Sequence, residues 1–453
     1  MRQKFLRSIQ TKGMGNLNKQ LVNTVMLGFA LFAIFFGAGN LIFPPSIGLA
    51  SGTNWLPALI GFSVTGIALP LLAVFAILNA NGKFEELTRP ISPWFYKVFN
   101  LLLMVGIGVF VTIPRMAATT HELGVHTLAP SVPSIATIIA FFSICFFFAM
   151  DQSNVIDKIG KFLTPVLVLA LLIIVVKGIF TPVGAPIATA LANPFSNAFI
   201  NAYQTGDVVT GIFCAPIFIA AILHHGYKGT EMRKVAVRGT LIAGAGLLVV
   251  YGGLLYLGAS ASGTVPVDIE QTALVSELIN RILGTSGAAL LAVTIALACL
   301  TSAIGVLAVI ADFLNKLTHN KVGYKPWVFI LCVVAAFMGS FGVGKIINYA
   351  MPIFLALYPV AIVLVFLGLF RKYIPNSGAY RGTILLTFVV SLIETMGVIG
   401  FPIPGLTPAV AMLPLAANGF SWLVPAVIGF IAGAFLDKSI RKKQDQEPTV
   451  VSN

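Results

Sequence analysis

Three short stretches of this sequence bring together groups that can hold an ion or a zwitterion. The first, Phe36-Gly37-Ala38-Gly39-Asn40-Leu41-Ile42-Phe43-Pro44-Pro45, puts two glycines, an amide and a double proline inside an apolar run. The second, Asp207-Val208-Val209-Thr210-Gly211-Ile212-Phe213-Cys214-Ala215-Pro216, starts with an acid and carries Gly and Pro near the middle of its run. A helix broken at such residues frees backbone groups: amides at the start of the following half attract a carboxylate, and carbonyls at the end of the preceding half attract a cation. The third stretch is Ala298-Cys299-Leu300-Thr301-Ser302. Positions i, i+3 and i+4 share a helical face, so the Ala298 carbonyl and the Thr301 and Ser302 hydroxyls converge, and hard cations take oxygen ligands of this kind. The same hydroxyls also bond back to the preceding turn or across to a neighbouring helix.

The elements that carry these stretches are membrane helices. Of 453 residues, 58% are hydrophobic and 9% charged, too few charged residues to cover a water-soluble surface. The apolar residues run unbroken, as in Phe162 to Val176, Gly239 to Leu257 and Ile353 to Phe370. A bilayer core about 30 Å thick takes roughly 20 such residues per helix, and alternating barrel strands do not produce them. Apolar length, broken at charge, Pro and Gly, predicts twelve helices near 22–48, 56–80, 97–119, 134–150, 160–180, 205–223, 236–258, 286–311, 327–341, 346–370, 381–400 and 414–436. The polar tails 1–20 and 437–453 flank them, and the long connections 182–204 and 259–285 are expected to act as lids or packing on the outer face.

Orientation follows from charge. With the N-terminus in the cytoplasm, all but four of the 28 Lys and Arg fall on the inner side; Arg115, Lys177, Arg281 and Lys345 remain for the outside. This alternation is what the positive-inside rule demands, and a missed helix would scramble it. It places both termini in the cytoplasm of a multi-pass protein of the cell membrane, and it accounts for the net charge of +13 without nucleic acid. Cys145, Cys214, Cys299 and Cys332 lie inside apolar segments and read as small buried hydrophobes.

The first and second stretches lie on helices five apart. Five is odd, so a second five-helix unit enters the membrane from the opposite side, which is an inverted repeat: 21–180, then 205–370, with helices at 381–436 added. Interrupted helices at matching positions of two such halves point to a substrate site at the midplane. Gly37, Ala38, Gly39 and Asn40 would take a carboxylate there, with Phe35, Phe36, Ile212 and Phe213 as apolar wall candidates. Asp207 and Glu394 are the acids deepest in apolar surroundings, which makes them functional candidates. Asp207 has three readings: attraction of a substrate amine, pairing with Arg115 across an outer vestibule, or a favourable charge at a helix start. Glu394 reads as a proton site or a hydrogen-bonded packing residue.

Phe36 to Pro45 resembles the first-helix signature of the bacterial branched-chain amino acid:cation symporters, the LIVCS or BrnQ-type carriers. Ile113-Pro114-Arg115-Met116-Ala117-Ala118-Thr119-Thr120-His121-Glu122 resembles their third-helix motif, and Thr205-Gly206-Asp207 the start of their sixth helix. The resemblance runs along essentially the whole chain. It implies an all-α LeuT-like fold, five-plus-five inverted repeats plus two helices, and symport of Leu, Ile or Val with sodium as co-transported ion and no bound cofactor. Gly37 to Asn40 is also similar to the unwound segment of sodium-coupled amino acid transporters, and Ala298, Thr301 and Ser302 to their eighth-helix sodium site. That similarity implies carbonyl ligands from Ala33 and Phe36, and puts Phe35 and Asn40 near a substrate-linked sodium. The arginine gating the outside in that group falls on Phe43 here, which leaves Arg115 as the candidate gate.

The main alternative is proton coupling on the same fold. A major facilitator is disfavoured because Asn81-Gly82-Lys83-Phe84-Glu85-Glu86 stands where its Gly-Asp-Arg loop is expected. An intramembrane enzyme needs converging acids, His or Cys at membrane depth, and the five histidines map to helix ends or loops. A channel is separated from a carrier by saturable counterflow.

Overall fold

The computed structural model describes residues 20–150 and 155–444; the tails expected at 1–20 and 437–453 lie outside that range except for 20 and 437–444. The described chain is helical throughout, with no strand. This follows from the bilayer, where every backbone N–H and C=O must be satisfied within its own segment.

In chain order the helices are α1 (Gln20–Phe35), α2 (Ala38–Ser51), α3 (Trp55–Ser63), α4 (Leu69–Asn79), α5 (Phe95–Leu128), α6 (Ser134–Met150), α7 (Val155–Phe180) and α8 (Pro194–Asn201). They continue as α9 (Asp207–His224), α10 (Gly229–Ser260), α11 (Gln271–Leu317), α12 (Tyr324–Gly339), α13 (Val343–Leu369), α14 (Ser377–Val398), α15 (Leu406–Ala411) and α16 (Leu423–Gln444). Each of the twelve expected spans meets helix. Seven helical runs are long and apolar enough to cross a membrane, and four shorter apolar helices accompany them among the described residues.

The interruptions differ from expectation in an instructive way. The break in the first span lies at Phe36–Gly37, and Pro44 and Pro45 sit inside the continuous α2. Their ring nitrogens cannot donate to the carbonyls of Asn40 and Leu41, but that loss is tolerated within one helix. In the sixth span, Gly211 and Pro216 do not break α9 either. Gly211 is there because a Cβ would press on the Pro70 carbonyl oxygen 2.6 Å away, so α9 packs backbone-close on α4. The break falls earlier, at Gly206, whose φ of 75° is left-handed. Ahead of it come the partly buried α8 and a buried 3₁₀ turn over Ala202–Thr205, so the later part of the connection expected at 182–204 is helical and packed on the bundle.

Two further boundaries move. The third span runs to Leu128, not 119, because α5 widens into π-helix over Leu102–Thr112 and Thr120–Val125, flanking the α-helical turn Ile113–Thr119. The last helix begins at Leu423, not 414: Leu415 and Gly419 take left-handed conformations and turn the apolar run Leu413 to Ala417 outside the helix. In the connection expected at 259–285, Gly284 (φ 70°) separates a helix over 271–283 from the long apolar remainder of α11. Residues 182–193 pack on the bundle through Ile187, whose carbonyl accepts from the Thr53 N–H at 2.9 Å and whose own N–H donates to Ser262 Oγ at 2.9 Å.

Candidate functional site

The site forms where the two breaks meet. α1 closes with the Phe36 N–H on the Phe32 carbonyl at 2.9 Å, Gly37 is extended, and α2 starts at Ala38. Asn40 then folds back, its Oδ1 accepting the Gly37 N–H at 3.2 Å. Its amide nitrogen spends both protons across the bundle, donating to Asp207 Oδ2 at 2.7 Å and to the Tyr251 hydroxyl of α10. At 1% exposure Asn40 has no access to bulk water, so these bonds replace its hydration.

Asp207, also 1% exposed, is the first residue of α9, where the helix dipole favours its charge. Its own N–H points at Thr205 Oγ1, 3.4 Å away. The following amide, that of Val208, donates to the Tyr358 hydroxyl at 3.0 Å, and the Tyr358 ring stacks on Tyr203 with centroids 4.5 Å apart. One hydrogen-bonded cluster therefore joins α2, α9, α10 and α13 at Asp207. Tyr251 and Tyr358 were missed by reading motifs. The available signal is that a tyrosine hydroxyl inside a long apolar run needs a buried partner.

Beside this cluster a narrow cavity, about 300 Å³ of empty space with its mouth included, is lined by Phe36, Gly37, Ala38, Leu41, Met116, Ile295, Ala298, Cys299 and Ser302. The α2 start and the face of α11 thus come together. Of the expected sodium ligands, Phe36, Ala298 and Ser302 line this cavity, whereas Ala33 and Thr301 do not. Thr301 Oγ1 instead donates to the Ala298 carbonyl at 3.0 Å, the back-bond that competes with ion ligation. Ile212 is fully buried and Phe213 packs edge-on against Phe84 at 6.0 Å; neither lines the cavity, nor does Phe35.

Arg115, counted among the outer cations, is buried inside the protein. It lies on the α-helical turn between the two π segments, 2% exposed, with Cζ 5.4 Å from the Phe43 ring centroid. Pro114 beside it cannot serve the carbonyl of Phe110 four residues back, and the Tyr349 hydroxyl donates to that carbonyl at 2.6 Å. Among the described residues no ion pair includes Arg115 or Asp207, so the pairing across a vestibule is not made. Glu394, half-buried, accepts from Ser421 Oγ at 2.5 Å.

Comparison with known proteins agrees with the fold and with the motifs. In structure the chain is similar to Mhp1, a nucleobase-cation-symport-1 family transporter in a closed conformation with bromovinylhydantoin bound (TM-score 0.63, 13% identity, 93% of each chain covered). It is also similar to a sodium-coupled sialic acid symporter in a substrate-bound outward-open state (TM-score 0.57, 12% identity, 91% of this chain and 88% of that one). At these identities the likeness establishes the fold, which is that of LeuT-like transporters. In sequence it is 32% identical to the branched-chain amino acid permease BraB of Bacillus subtilis, over 91% of this chain and 95% of that protein. It is 31% identical to the branched-chain amino acid transport system 2 carrier protein of Pseudomonas aeruginosa, over 92% and 97%. The family described as branched-chain amino acid transport protein matches residues 20–440. With the motif at Phe36 to Pro45 and this match over nearly the whole length, the chain belongs to the branched-chain amino acid transport protein family, multi-pass membrane transporters rather than enzymes.

Proposed function

We propose that this chain imports leucine, isoleucine and valine across the cell membrane in symport with sodium, with both termini in the cytoplasm. The observation that carries the reading is the meeting of the two broken spans, which sets the Ala38 and Gly39 amides at the start of α2 near Asp207 and beside an apolar cavity. An amino acid needs all three features. Its carboxylate takes the amides of Ala38 and Gly39, since those of Gly37 and Asn40 already donate to Asn40 Oδ1 and the Gly37 carbonyl, and the helix dipole adds favourable charge there. Its ammonium turns to Asp207, and its side chain takes apolar wall. A methylene more or less is worth only about 1–3 kcal/mol, so the three substrates compete for one site.

Sodium belongs, in this reading, between the end of α1 and α11, on the carbonyls of Ala33, Phe36 and Ala298 and the hydroxyls of Thr301 and Ser302. Support comes from Phe36, Ala298 and Ser302 sharing one cavity wall. To ligate the ion, Thr301 Oγ1 turns its proton away from the Ala298 carbonyl, which releases two oxygens at once. The two inverted units, 21–180 and 205–370, then rock about the site, and α14 and α16 stand outside them.

Proton coupling is the second reading, favoured by one observation: Asp207 is a buried carboxylate held by neutral donors, as a proton carrier would be. Uptake of labelled leucine into proteoliposomes under a sodium gradient alone, or a proton gradient alone, separates the two. The double substitution Thr301→Val, Ser302→Ala is expected to abolish the sodium dependence of uptake. Sodium dependence that survives it unchanged defeats the proposed ion site.

A further inference from the structure

Among the described residues Arg115 is a buried cation that forms no ion pair, with Asp207 within electrostatic reach. Its side chain is 2% exposed, and Nε and Nη1 are buried without a hydrogen-bond partner. The carboxylate in its neighbourhood, that of Asp207, is engaged by Asn40, and no ion pair forms. An uncompensated guanidinium in a membrane interior is costly, and a site that retains one has a use for it.

The position of the guanidinium shows the use. Nη2 lies 2.8 Å from where a Cβ on Gly39 would stand. The guanidinium therefore rests against the first turn of α2, and only the missing side chain of Gly39 lets it reach there. The Ala38 and Gly39 amides of that turn and the fork of Arg115 are then two halves of one anion site: a helix start on one side, and on the other a planar donor set that matches a carboxylate bidentately. Met116, the next residue of the same turn, lines the cavity that opens on Gly37 and Ala38. The face of Phe43 holds the guanidinium from behind.

We propose that Arg115 binds the α-carboxylate of the transported amino acid, so that the site reads a zwitterion between Arg115 and Asp207. This assignment rests on the amino acid reading above. It extends that reading, because a helix start alone discriminates weakly between a carboxylate and a neutral amide, whereas a buried guanidinium left unpaired by an amide ligand penalises it strongly. The carrier consequently rejects carboxyl-blocked and decarboxylated analogues of its substrates.

Titration calorimetry on the purified full chain in detergent, with saturating sodium, compares leucine with leucinamide, which keeps the ammonium and the side chain and lacks the carboxylate. The wild-type chain is expected to prefer leucine by about 100-fold, the worth of a charge-assisted pair in a buried site. Arg115→Gln is expected to collapse that preference to within about 3-fold, by weakening leucine and relieving the penalty on leucinamide. Gly39→Ala, which pushes the guanidinium away, is expected to cut it about 10-fold, and Arg115→Lys to retain part of it. A preference that stays constant in Arg115→Gln, with both ligands weakened together or neither affected, marks a gate or packing residue and overturns the assignment. If Arg115→Gln does not purify as a monodisperse protein, a full wild-type preference in Gly39→Ala overturns it equally. Wild-type protein that binds neither compound, yet binds another solute, sinks the amino acid reading itself, a result distinct from any of these.

Discussion

Asp207 and Glu394 are both carboxylates in apolar helices, and reading the sequence gave them equal standing. The structure separates them by what they are tied to. Asp207 is 1% exposed and opens α9 at the break, and through Asn40 it reaches both α2 and Tyr251 of α10. The Tyr358 hydroxyl meets the very next amide. Glu394 is half-buried on α14 and holds Ser421, just ahead of α16. One acid sits where four helices must agree; the other ties together the two helices that pack mainly on each other. Gly378 and Gly382 of α14 face Gly433 and Gly429 of α16 so closely that a Cβ on any of them would overlap the opposing backbone, the packing expected of a fixed membrane pair. An intramembrane acid is thus informative in proportion to the number of moving elements it joins.

The strongest challenge to this comparison is Asp207→Asn. The amide keeps the shape and still accepts from Asn40, so the fold is retained and the charge alone is lost. Leucine uptake, as kcat/KM in proteoliposomes, is expected to fall about 100-fold, the loss of a charge-assisted bond to the substrate ammonium in a dry site. Uptake and pH profile equal to wild type would reduce Asp207 to a helix-starting charge, and the contrast with Glu394 would vanish. Tyr251→Phe probes the same cluster one bond further out. It removes the acceptor for one proton of the Asn40 amide, leaving a buried donor unmet, and is expected to lower leucine uptake about 10-fold. A wild-type rate in that variant would show that the cluster is joined by Asn40 and Asp207 alone.

Much of this arrangement was legible in the residues, and the parts that were not have physical reasons. The helices follow from apolar length, and the first break from Gly37 to Asn40, because small residues and an amide coincide there. Pro44, Pro45, Gly211 and Pro216 misled in detail. A proline removes one donor and a glycine removes a Cβ, yet either can sit in an unbroken helix when a neighbouring helix packs on it. Gly206 was read as part of a helix start, correctly, but the helical turns ahead of it were not foreseen, since Pro194 to Thr205 is short and mixed in polarity. Counting charge by loop assigned Arg115 to a face and carried no sign of its burial. That burial depends on the π-helical winding of α5 and the open space at Gly39, neither of which has a sequence period of its own.

The smallest effect is expected from Glu394→Gln, and it tests the comparison from the other side. Glutamine still accepts from Ser421 Oγ, so the link between α14 and the start of α16 persists without the charge. If those helices stand outside the rocking units, nothing in the transport cycle requires a carboxylate there. Leucine uptake is then expected within about 2-fold of wild type under sodium or proton gradients, the scale of a neutral-for-charged change in one partly exposed bond. Ser421→Ala is expected to act through stability instead, by leaving the carboxylate unpaired in apolar surroundings, with Tm lowered and kcat/KM preserved in the folded fraction. A Glu394→Gln protein that loses proton-driven uptake while keeping its Tm would make α14 part of the coupling machinery, and the distinction between a wired acid and a peripheral one would have to be redrawn around Tyr203, a ring of the Asp207 cluster within electrostatic reach of Glu394.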